Sequence, residues 1–115
     1  MKARRTETAI KHLHRHSFLA VAIALLPGAC APAYQAPPVS APLVAASLQP
    51  ASTLERGYQI HQVKCAKCHP FENPAHYDEI ELKEEIMPVM ARKSNLDRAD
   101  GDAVLAYLLA ARRLP

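Results

Sequence analysis

Hydrophobic and polar positions divide the 115-residue chain into three unlike stretches. From Phe18 to Leu26 the chain reads FLAVAIALL, without a polar residue. That run falls well short of the roughly 20 apolar residues a membrane-spanning helix needs. Residues 31–51, APAYQAPPVSAPLVAASLQPA, carry five prolines, seven alanines and no charge. Proline fixes φ and removes backbone donors, so this stretch is expected to be an extended, semi-rigid tether and not a packed element. Beyond it the pattern acquires a helical period.

The period predicts three helices. Ser52 is expected to cap the first, through TLERGYQIHQVK, with Glu55 three residues on completing a capping box and Leu54, Tyr58 and His61 on one face. Gly57 costs roughly 1 kcal/mol relative to Ala inside a helix, which points to a backbone or bulky group lying close against it. PFENPAHY has no period and two prolines, and reads as a loop. A second helix starts near Asp78, with Leu82, Ile86, Val89 and Met90 sharing a face and Pro88 imposing a kink or a break. In the third, Asp97 caps with Asp100 as a partial box, Val104, Leu105, Leu108 and Leu109 form the apolar face, and Arg112 and Arg113 sit in the last turn. No stretch alternates as a strand does. The fold class is all-α, about three helices, at a size where a bound metal or cofactor usually supplements the core.

Charge sharpens the division. The formal charge of +3 comes from the N-terminus, where Lys2, Arg4, Arg5, Lys11 and Arg15 face only Glu7. From Cys30 onward nine Lys or Arg balance ten Asp or Glu, so basicity makes no case for nucleic acid binding. Basic residues, then an apolar run, then the small residues of PGACA are the regions of an export signal. His12, His14 and His16 are polar members of its basic region. LLPGAC resembles a bacterial lipobox, with Pro27 where Leu is customary, and would make Cys30 an acylated N-terminus. An ordinary cut after Ala31 or Ala33 would discard it. The lipoprotein type is favoured, because Cys30 is the cysteine left over once Cys65 and Cys68 are paired. The expected organisation is a signal over 1–29, a Pro/Ala-rich linker over 30–51 and a folded domain over 52–115. The protein is expected in the periplasm, tethered to a membrane by lipid if Cys30 is acylated.

The chemistry is concentrated in KCAKCHP. Cys65, Cys68 and His69 form C-x-x-C-H, the attachment pattern of c-type haem. Two thiols at this spacing each add across one haem vinyl group, and the next imidazole is carried beneath the iron. Zinc is a rival reading, but a structural zinc site usually has a second, separated ligand pair, which does not stand out here. Thiol exchange is another, but it normally sets C-x-x-C in a βαβ unit. Glu84 and Glu85 read as a solvated face, and no catalytic acid and base pair is evident.

The segment from Thr53 to Arg113 resembles a small class I cytochrome c domain. Gly57, eight residues before Cys65, and Tyr107 in DAVLAYLLAARR match by type and order the glycine and aromatic where that family's first and last helices cross. His61 stands where the family often has a second aromatic. The resemblance implies one covalent haem c held through Cys65 and Cys68, His69 as proximal iron ligand, and a methionine opposite. Met90 is assigned that place and Met87 is the alternative. The interval from His69 to Met90 is shorter than usual, and His76 or His61 would give a bis-histidine iron instead. The implied function is single-electron transfer between redox partner proteins, without enzymatic activity. A gas-binding or sensor protein with an open sixth position is the alternative.

Overall fold

Proline sets the first turn of the structure, a computed structural model that describes residues 32–115. The export signal read over 1–29, its histidines and Cys30 lie outside the described residues. Pro42 occupies the first turn of α1 (Ala41–Ala45), where a missing N–H costs nothing. Three longer segments follow: α2 (Ala51–Lys64), a helical run from Glu81 that becomes α3 (Met87–Lys93), and α4 (Arg98–Arg112). Among the described residues there are no strands, and the domain is all-α.

The tether expected over 31–51 is corrected at its centre. Leu43 is fully buried, in one cluster with Leu54, Tyr107, Ala110 and Ala111. Val39 and Val44 pack against the same cluster. The Tyr107 hydroxyl donates to the Pro37 carbonyl at 2.7 Å, and Arg113 donates to the Ala46 carbonyl at 3.1 Å. An uncharged, proline-rich stretch has no periodicity to betray burial. Its apolar side chains nevertheless find a groove beside α4, and the ordered backbone finds donors there.

Helix α2 begins two residues earlier than predicted, and its N-cap is Pro50 without a side-chain bond, so the Ser52 capping box does not form. Glu55 instead accepts from Gln59 one turn on, at 3.1 Å. Gly57 behaves as its cost implied. A Cβ there would overlap the Ala103 carbonyl, lying 2.7 Å from its carbon and 2.9 Å from Tyr107 Cβ. The α2 and α4 backbones therefore touch where the glycine allows it, and Arg56 closes the same crossing on Asp100 at 2.6 Å.

In α4 the predicted cap is present, with the Asp97 side chain accepting from the Asp100 amide at 2.8 Å. The buried face differs. Ala103, Val104, Tyr107, Ala110 and Ala111 are buried, while Leu105, Leu108 and Leu109 are only partly so. Close approach to α2 selects small residues, and the leucines flank the contact.

The middle helix differs through one turn. Residues Glu81–Ile86 are π-helical, and the Met87 amide donates to the Leu82 carbonyl five residues back. This is where the irregularity expected at Pro88 falls: the ring has no N–H and crowds the carbonyl four residues earlier, and a wider turn relieves both. Leu82 and Met87 are buried, whereas Val89, expected on the apolar face, is 37% exposed. The loop between His69 and the middle helix contains one short turn, Pro74–His76, capped by Asn73 accepting from the Ala75 amide at 3.0 Å.

Candidate functional site

Helix α2 tightens into a 3₁₀ turn at Cys65–Lys67, with the Cys68 amide donating to the Cys65 carbonyl at 3.4 Å. The turn separates the two thiols: Cys65 is buried and Cys68 exposed, and no disulfide joins them. Burial, and secondarily the charge of Cys68, pushes the Cys65 thiol up. Reactive exchange thiols need the opposite shift.

Cys65 opens onto a cavity of about 330 Å³, within the roughly 300–1,000 Å³ typical of small-molecule and cofactor sites. His69 lines it from the motif, Phe71, Pro74 and Tyr77 from the following loop, and Leu82, Ile86 and Met90 from the middle helix. Leu108 of α4 completes the wall, so distant parts of the chain meet here. The lining is mainly apolar. Glu72 and Glu81 stand at its polar side, where Glu72 accepts from the Tyr77 hydroxyl. Arg112 donates to the Tyr77 carbonyl at 2.7 Å, tying the cavity wall to the end of α4.

His69 is exposed on its turn, and its Nδ1 lies 2.7 Å from the Pro70 carbonyl. With Nδ1–H as the donor, Nε2 keeps its lone pair for a ligand, the arrangement that orients metal-binding imidazoles. Met90 lines the same cavity. Met87 points elsewhere, into a crevice it shares with Lys83, Pro88, Ala91 and Leu96. His76 is exposed and does not line the cavity, whereas His61 does.

His61 occupies an aromatic position. Its ring stacks on Phe71 with centroids 4.4 Å apart and lies tilted on Tyr107 at 5.6 Å. Only 6% of it is exposed, and its Nδ1 has no hydrogen-bond partner. Burial, reinforced by the nearby His69, pulls its pKa down to about 4. The ring is neutral at ordinary pH and packs as an aromatic would.

The residues fit a haem c. Two thiols, an oriented imidazole and a thioether are its attachment and ligand types; Cys65, His69 and Met90 line the apolar cavity, while Cys68 is exposed and does not line it. Among the described residues, no three His, Cys, Asp or Glu side chains gather as a metal cluster, which is the arrangement zinc would require. The sequence places Phe71 and Tyr77 only in a loop and Leu108 only on the apolar face of the third helix, with none of them assigned to the site. Phe71, an aromatic two residues past His69, carried the only local signal. Comparison with known proteins finds no family model, curated protein or solved structure that matches this chain.

Proposed function

We propose that the chain is a monohaem c-type cytochrome of class I type, a single-electron carrier between exported redox partner proteins. One observation carries this reading: Cys65 and His69 of the motif and Met90 of the distant middle helix line a single apolar cavity. Haem c, when bound, supplies a one-electron couple at its iron. Cys65 and Cys68 would hold it by adding their S–H bonds across its two vinyl groups. His69 would present Nε2 while the Pro70 carbonyl holds Nδ1–H, and Met90 would offer the soft thioether that favours a relatively high potential. The mainly apolar lining would favour the less charged, reduced state. Nothing in this role requires a catalytic acid or base.

Export and lipid attachment at Cys30 belong to the same proposal. Among the described residues no helix is long and apolar enough to cross a membrane. The test is absorption spectroscopy of the purified, exported protein. A low-spin ferrous c-type spectrum unchanged by carbon monoxide is expected. Carbon monoxide binding by the wild-type protein would favour the gas-binding reading, and protein without haem would overturn both.

A further inference from the structure

The cavity contains Met90 and not Val89 because of a single turn. Leu82, Ile86 and Met90 line the cavity together, while Val89 faces outward. In a continuous α-helix of 3.6 residues per turn, the residue in line with Leu82 two turns on is seven positions away, which is Val89. Met90 would then lie about 100° farther round. The π-helical turn holds one residue more than an α-turn and moves Met90 into line.

The extra residue is held in that turn from both sides. At the N-terminal end the Glu81 amide donates to Asp78 at 2.7 Å, and Arg112 holds the Tyr77 carbonyl at 2.7 Å. At the C-terminal end the Leu96 amide donates to the Ala91 carbonyl at 2.9 Å, and Asn95 closes the helix with φ 49°. Pro88 supplies the local cause, since an α-turn would drive its ring against the Glu84 carbonyl.

We infer that the wide turn at Glu81–Ile86 is a register device, which places Met90 in the cavity that His69 lines, at the position an α-helix would give to Val89. Ligand choice between the two neighbouring methionines then follows from the turn: Met87 is committed to the core side of the helix and Met90 to the cavity. This rests on the haem reading above, so the test includes a measurement that does not need haem.

Three variants of the full, exported chain test it. Deleting the exposed Glu84 together with Pro88→Ala, which removes the ring that obstructs an α-turn, returns the turn to α-helical width and leaves both flanks facing as they do now. The holoprotein should keep the methionine–iron charge-transfer band of its ferric state and refuse carbon monoxide. Inserting one alanine after Glu84 should abolish the band and admit carbon monoxide. The paired substitution Val89→Met with Met90→Val should do the same. Peroxide oxidation mapped by mass spectrometry gives the independent readout: a methionine at 89 should oxidise faster than Met90 does in the wild type. Loss of the band in the deletion variant, with haem retained, overturns the inference. So does a methionine at 89 that ligates iron or resists oxidation. If the deletion variant does not fold, the paired substitution decides. Wild-type protein without haem would refute the haem reading, and the oxidation rates would still decide the register.

Discussion

Gly57 and Ala103 bring two helix backbones into contact, leaving no room for even a methyl group between them. Replacing Gly57 with Ala gains about 1 kcal/mol of helix propensity. The clash is with backbone and exceeds it, at the upper end of the roughly 1–3 kcal/mol of overpacking. Gly57→Ala should lower the protein's Tm by on the order of 10 °C, measured by calorimetry. An unchanged Tm would mean that the helices do not cross so closely.

The strap formed by residues 37–46 should behave as core. Leu43→Ala is expected to cost about 2–5 kcal/mol in urea unfolding, as fully buried leucines do. Tyr107→Phe removes only the bond to the Pro37 carbonyl and should cost about 1 kcal/mol. A free tether would make the Leu43 variant silent.

The methionines should separate cleanly. With haem bound as proposed, Met90→Ala is expected to leave the iron open to carbon monoxide with little loss of stability. Met87→Ala should keep the ferric charge-transfer band but destabilise by about 2–5 kcal/mol, since Met87 is 6% exposed. Ferrous spectra with and without carbon monoxide, read beside denaturation curves, distinguish the two. The opposite pattern would make Met87 the ligand.

His61 ties stability to pH. Its pKa is about 4 in the folded chain, held down first by burial and then by His69, against about 6.5 unfolded. Between those values the unfolded chain binds the extra proton, so stability rises with pH from about 4 to 6.5 and levels above. The contribution is on the order of 3 kcal/mol at neutral pH. Urea midpoints from pH 4 to 7 should show this slope, and His61→Phe, which keeps the stacking, should flatten it.

Lipid attachment gives a separate outcome. Cys30→Ser should move the protein from membranes to the soluble fraction of fractionated cells. An unchanged distribution would favour cleavage after Ala31 or Ala33.

Much of the molecule was legible from local chemistry. Helical period, the Asp97 cap and the cost of Gly57 are properties of neighbouring residues, so the all-α class and the close approach at Gly57 could be read without coordinates. C-x-x-C-H is likewise local, since its meaning lies in a spacing of a few residues.

What stayed hidden depends on contacts between distant residues. Pro88 announced a disturbance, but whether the chain kinks, breaks or widens was set by anchors at both ends of the helix, Arg112 on the Tyr77 carbonyl among them. That choice turned Val89 outward and Met90 in. Leu43 looked like part of a tether because its burial depends on a groove built by α4. His61 was legible as a member of the Leu54 and Tyr58 face and as an alternative iron ligand, and its stacking on Phe71 and contact with Tyr107 came only from the fold. Composition and spacing specify which groups are available and which helices carry them. Which of those groups meet follows from burial and backbone pinning, which act across the whole domain.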